Sequence, residues 1–157
     1  MYIPSKNVNL SRIAEMLNKD EEAAYYRCRS FNYRHIYNKE TCFFHPKDKN
    51  GKWISPFDYR FSGGQGAREY YGENNGWVYR WDVPHNIADL IELMNGKEQF
   101  VANLDQMFNE SLGKSKFDFY SQLPDHTGNV GQFSMANEPS LHIPYLYCYA
   151  GQPWKTQ

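Results

Sequence analysis

The 157-residue sequence predicts an all-α protein with long irregular loops, and three observations predict it. Apolar residues recur three and four apart near the N-terminus and again over 87–108, which is the spacing of one helix face. Gly and Pro punctuate 39–76, and Gly-rich polar sequence fills 113–131, so no regular element is expected in either stretch. A last run, 138–150, opens on Glu-Pro-Ser and stops at Ala150-Gly151, as a short helix does when Pro occupies its first turn and Gly its end.

In chain order, Met1 to Lys6 reads as a lead-in with Pro4. Leu10, Ile13, Ala14 and Leu17 then predict a helix that stops near Asn18-Lys19-Asp20. A second helix is expected from Glu21 to about Asn38, with Ala24, Cys28, Phe31 and His35 on one face and charged residues opposite. Within the loop that follows, Gly63-Gly64-Gln65-Gly66 invites a phosphate-cradle reading. It lacks the apolar strand before it and the Lys-Ser/Thr pair after it that such a cradle requires. Trp77, Tyr79 and Trp81 alternate like a strand, whereas Trp77 with Trp81 and Asn74 with Val78 are spaced like a helix. Ile87, Leu90, Ile91 and Met94 form one helix face, and Phe100, Val101, Leu104, Met107 and Phe108 form another. Gly96-Lys97 joins the two into an antiparallel hairpin. Asp125 and His126 stand in the polar loop 113–131 as a weak metal-binding pair, with no helix-spaced or Cys-paired ligands beside them.

Composition narrows the function classes. A net charge of −1 argues against a nucleic-acid partner. No apolar run reaches the roughly 18 residues of a membrane span, and no signal-peptide pattern opens the chain. The three cysteines, Cys28, Cys42 and Cys148, are too few for a disulfide scaffold and read as buried thiols, with one disulfide left open. Aromatic residues make up 17%. Their rings serve sugar faces and large helical cores equally well.

The last stretch carries the chemistry. Glu138 falls at a helix N-terminus, with Asn137 and Ser140 as capping candidates, and Pro144 kinks the run six residues on. A carboxylate there either caps the helix or acts in catalysis. The order Ala136-Asn137-Glu138-Pro139-Ser140-Leu141-His142, then Ile143 to Tyr149, then Gly151-Gln152-Pro153-Trp154-Lys155-Thr156-Gln157 resembles the motif of glycoside hydrolase family 92, the calcium-dependent exo-acting α-mannosidases. It departs at Ala136 and Leu141, where the family has Gly and His. Tyr71 to Trp81, followed by Val83-Pro84-His85, resembles a second block of the same family, and Asn32-Tyr33 a third.

The resemblance implies a portion of an (α/α)₆ toroid, with 71–85 containing a short helix and 1–157 forming a single unit, a truncated part of a larger catalytic domain. It implies an inverting exo-α-mannosidase with Glu138 as general acid. Glu73, Asn74, Trp77, Asn137 and His142 would bind the mannose-containing glycan. Calcium ligands and the base carboxylate would lie beyond Gln157, so no metal ligand is assigned in this chain. A proton-donating Glu138 needs apolar walls, for which Phe133, Met135, Trp77 and Trp81 are available. The fragment alone is expected to be inactive, to need the remainder of its domain as partner, and to self-associate or show molten behaviour. The parent is expected to be secreted, periplasmic or on the outer surface. The competing reading is a carbohydrate-binding or structural α-helical module in which Glu138 only caps.

Overall fold

The computed structural model describes residues 4–61 and 69–157. The Gly63–Gly66 stretch lies outside the described residues. Among the described residues the chain is mostly helical, as expected, with one small sheet.

Helices α1 (Pro4–Met16) and α2 (Asp20–Arg29) form the first pair. Asn18, in the left-handed conformation at φ 54°, ends the first and turns the chain. Acidic Asp20, Glu21 and Glu22 open α2, and Arg27 and Arg29 close it, matching the helix dipole at both ends. The buried faces are only partly those expected. Ala14 faces inward from α1 as expected, but beside the polar Asn7 and Ser11, whereas Leu10, Ile13, Met16 and Leu17 are exposed. Small residues let the two helices approach, and Ser11 Oγ donates to Ala23 O at 3.0 Å. On α2, Ala23 is buried while Ala24 and Cys28 are exposed. The helix also stops at Arg29, short of the expected Asn38, and a 3₁₀ turn (Asn32–His35) follows. That turn buries Tyr33 and leaves Phe31 and His35 outside. Tyr33 and Arg34 both reach the buried Asp89 carboxylate, which anchors the turn to a distant helix.

The irregular stretch after it contains a two-stranded antiparallel hairpin, β1 (Tyr37–Asn38) and β2 (Phe43–Phe44), with Tyr37 opposite Phe44. Such short strands carry no readable period. Their aromatic side chains enter the core beside Trp77.

Helix α3 (Gly76–Tyr79) is the short helix expected within 71–85. Helices α4 (Ile87–Leu93) and α5 (Lys97–Asn109) follow, joined through Asn95 and Gly96, both at positive φ. Their predicted apolar faces are the ones buried: Ile87, Leu90, Met94, Phe100, Leu104 and Met107 are nearly inaccessible. Trp81 closes this layer. Its ring meets Phe100 edge-on at 5.3 Å and its Nε1–H points at Met107 Sδ, 3.1 Å away. Helix α6 (Lys116–Gln122), capped by Ser115 Oγ, occupies part of what reads as a polar loop and buries Phe119.

The final run is not one helix. It is a 3₁₀ turn at Glu138–Ser140, another at Ile143–Tyr145 and a single α turn, α7 (Leu146–Tyr149). Pro139 and Pro144 each sit in the first positions of a 3₁₀ turn, where a missing N–H costs least, and their spacing breaks the run into short pieces. The cysteines also differ from expectation: all three are free, with Cys28 and Cys148 exposed.

Candidate active site

The two sequence blocks meet through buried polar side chains. Asn75, with no solvent exposure, caps α3 by accepting from the N–H groups of Trp77 and Val78 at 3.1 and 3.4 Å. Its own amide donates to Gln132 Oε1 at 2.9 Å and to Arg60 O at 3.1 Å. Gln132 is equally buried, and it donates onward to Ser111 O at 2.7 Å. His126 Nε2–H donates to Gln132 O at 2.8 Å. The helix that carries the 71–81 block is thus oriented by Gln132, a few residues ahead of the block that begins at Ala136.

That arrangement removes the metal reading of Asp125 and His126. His126 is fully buried with one nitrogen spent on a carbonyl, and Asp125 lies exposed. Burial pushes the His126 imidazole below its ordinary value, against smaller upward pulls from its bond to Gln132 and from Asp125. The folded state therefore takes up this proton less readily than the unfolded chain. Stability from neutral His126 is fully present above the ordinary histidine value of about 6.5 and is lost as pH falls through the lower folded value. Urea unfolding at pH 7.5 and pH 5 should show a smaller pH loss for His126→Gln than for the wild type. Equal losses in the two proteins would remove His126 as the cause.

Gly131 and Gln132 then lead into the last stretch. Asn137 is buried, and its amide donates to Glu73 Oε2 at 3.5 Å. It stands at the N-terminal side of the Glu138–Ser140 turn without a side-chain capping bond, and the buried Ser140 Oγ has no hydrogen-bond partner, so neither acts as the expected cap. Glu138 is exposed, and its carboxylate makes no hydrogen bond or ion pair among the described residues. His142, half-buried, donates Nε2–H to Trp81 O at 3.0 Å. Tyr79 OH accepts from Glu73 N at 3.3 Å. Glu73, Asn137 and His142 are thereby held to the α3 segment, with Glu138 next in chain to Asn137.

Asp82 is a residue that the sequence reading passes over. It stands beside His142, and burial pushes its carboxyl up to about 6, with the nearby imidazole pulling the other way. The one sequence signal was a lone carboxylate directly after an aromatic block. Asn74 and Trp77 belong to the interior: Asn74 has no solvent exposure, and Trp77, 6% exposed, meets Phe43 edge-on at 5.0 Å. Trp77 also borders a pocket of about 320 Å³ with Phe57, Tyr59, Arg60 and Glu110, which none of the other predicted site residues lines. Of the expected apolar walls, Phe133 and Trp81 are core residues and Met135 is exposed. Among the described residues no three His, Cys, Asp or Glu side chains come together so as to hold a metal ion.

Comparison with known proteins agrees with the two blocks. An uncharacterized secreted glycosidase from Arthroderma benhamiae is 31% identical over 121 residues, covering 71% of this chain and 13% of that protein. The family GH92 α-mannosidase BT3965 from Bacteroides thetaiotaomicron superposes with a TM-score of 0.79 at 29% identity, over 98% of this chain and 19% of its own. The family GH92 inverting mannosidase BT2199 from the same organism gives 0.69 at 36% identity, over 92% of this chain and 20% of its own. The chain spans about a fifth of the solved relatives or less. The model of the glycosyl hydrolase family 92 catalytic domain matches residues 4–157, and with its two sequence blocks joined in one fold the chain belongs to that family.

Proposed function

We propose that this chain is the acid-bearing portion of an inverting exo-α-mannosidase that removes terminal α-linked mannose from glycans. The observation that carries the reading is the junction of the two blocks, in which Asn137 reaches Glu73 while the adjacent Glu138 stays exposed and unpaired among the described residues. Glu138 is the general acid. Glu73, Asn137 and His142 bind the sugar, with Asn74 and Trp77 supporting them from the interior. The likeness to BT3965, which has also been solved with mannoimidazole, and to the inverting mannosidase BT2199 supports the substrate class and the stereochemistry.

An inverting reaction needs a second carboxylate as base, about 6.5–9.5 Å from the acid, to leave room for the attacking water. The remainder of the catalytic domain supplies that base and the calcium site, and completes an (α/α)₆ toroid around this segment. Secretion of the parent agrees with the description of the Arthroderma relative. No helix among the described residues is long and apolar enough to cross a membrane.

Proton NMR of early products tests the reading. The complete domain should release β-mannose first from an α-mannoside, and this 157-residue chain should release none, with or without calcium. First-formed α-mannose would overturn inversion, and chelator-sensitive turnover by the short chain would overturn its dependence on the remainder.

The exposed stripe on α1 adds a second expectation. Leu10, Ile13, Met16 and Leu17 are 41%, 52%, 83% and 61% exposed, and Met16 and Leu17 continue one helical face. Contiguous apolar surface of this kind promotes association. Sedimentation velocity should find the isolated chain self-associated. A single monomeric species at tens of micromolar would count against it.

A further inference from the structure

The segment 57–60 and the start of α3 are fastened together around the pocket that Trp77 borders. Gly76 N–H donates to Tyr59 O at 2.8 Å, and the buried Asn75 amide donates to Arg60 O at 3.1 Å. Gly76 permits the approach, since a Cβ there would stand only 3.0 Å from Tyr59 Cδ1. Phe43 stacks on Tyr59 with ring centroids 4.0 Å apart and meets Trp77 edge-on, so both rings are fixed from behind. Phe57 packs edge-on against Tyr59 at 5.2 Å. Three held rings, Phe57, Tyr59 and Trp77, therefore line this cavity of about 320 Å³.

Charged side chains complete the lining: Asp58, Arg60 and, from the end of α5, Glu110. Arg60 Nε–H donates to Asp58 Oδ1 at 3.2 Å, and its Nη1 lies 3.9 Å from Glu110 Oε1. Gly113, at φ 74°, leaves room for the guanidinium, because a Cβ there would stand 2.8 Å from Nη1. Among the described residues the half-buried Glu110 carboxylate makes no hydrogen bond, so its acceptor sites are open. Two carboxylates against one guanidinium disfavour an anionic ligand, and a wholly apolar one would leave these groups unpaired. A sugar suits both halves of the lining. Its C–H face lies on aromatic rings, while its hydroxyls donate to carboxylates and accept from a guanidinium in charge-assisted bonds. The volume is at the lower end of the roughly 300–1,000 Å³ of small-molecule sites, which is room for one sugar unit.

We propose that this pocket is the subsite for the leaving-group sugar, one neutral hexopyranose unit from which the terminal mannose is cut. The proposal rests on the mannosidase reading above. In that reading the cleaved mannose lies against Glu73, Asn137 and His142 with Glu138 as its acid, and none of these four lines the pocket. The pocket therefore takes the sugar on the other side of the bond. Trp77 belongs to α3, which also packs against the Glu138–Ser140 turn, so the pocket and the acid border the same four-residue helix. Glu110 and Arg60 are the residues that select this sugar, through its hydroxyls.

The test compares two substrates of the complete catalytic domain: the α-mannobiose linkage that the wild type cleaves fastest, and α-mannosyl fluoride, whose leaving group carries no sugar. Glu110→Ala should lower kcat/KM on the disaccharide about tenfold more than on the fluoride, the scale of one charge-assisted hydrogen bond. Glu110→Gln should recover part of that difference, because the carboxamide keeps an acceptor oxygen. Arg60→Lys, which loses the guanidinium fork, should also fall further on the disaccharide. Equal losses on the two substrates, the pattern of a merely structural role, overturn the proposal. So do undiminished rates of all three variants on the disaccharide. A wild-type domain that turns over neither substrate overturns the mannosidase reading itself, and the subsite falls with it.

Discussion

In the complete catalytic domain, Glu138→Gln abolishes most turnover of an alkyl α-mannoside while leaving sugar binding largely intact. Gln keeps the size and hydrogen-bonding reach of Glu but cannot hand a proton to the departing oxygen, and general acid catalysis typically contributes about 10²–10⁴-fold. A dinitrophenyl leaving group departs with little protonation, so its loss should be far smaller. This contrast between substrates separates a proton donor from a helix cap. A cap would lose stability by at most about 0.5–2 kcal/mol and both substrates would suffer alike. The structure already weakens the cap explanation, since the run that Glu138 opens is a three-residue 3₁₀ turn, too short to gather a substantial dipole. Equal losses on the two mannosides, together with a lowered melting temperature, would overturn the assignment.

Gly131→Ala should be among the most damaging single-methyl changes in the chain. Gly131 adopts φ 58°, and a Cβ there would press on the backbone of Met107 and Phe108, 2.6 Å from Phe108 O. Left-handed backbone costs a side-chain-bearing residue about 1–2 kcal/mol, and forced overpacking about 1–3 kcal/mol more. Backbone cannot swing aside as a side chain can. The next residue donates Gln132 N–H to Met107 O at 2.8 Å, so displacement at 131 also disturbs the link from Gln132 to the α3 cap. Gly128 is the control: it has φ 74°, and a Cβ there meets nothing within 4 Å. Gly128→Ala should therefore show the backbone cost alone. If urea unfolding finds Gly131→Ala no worse than Gly128→Ala, the close approach does not carry the effect.

Both of these residues lie where sequence reading was strongest and still incomplete. The polar, Gly-containing stretch before Gln132 read as a loop, and it hides α6 and the buried His126. Seven-residue α6 offers too few turns for a convincing period, and Phe119 alone marks its inner side. The α1 stripe misled in the opposite direction. Periodicity reports that a face is apolar, but not that its partner lies within the same stretch of chain, and here only Ala14 of that stripe is buried, with Asn7 and Ser11 turned inward beside it.

What the sequence determined by itself was local or carried whole in a motif. The faces of α4 and α5 follow from spacing alone, because each helix buries most of the residues that its own period selects and packs the others, Ile91 and Phe108, half-buried against the core. The family followed from two blocks of residues in fixed order. Tertiary structure decided what depends on residues far apart in the chain. It split 138–150 into three short turns, placed Asp82 beside His142, drew Trp77 into the core and joined Asn75 to Gln132 across 57 positions. A buried amide must find a partner wherever the fold provides one, and no local pattern records which partner that will be.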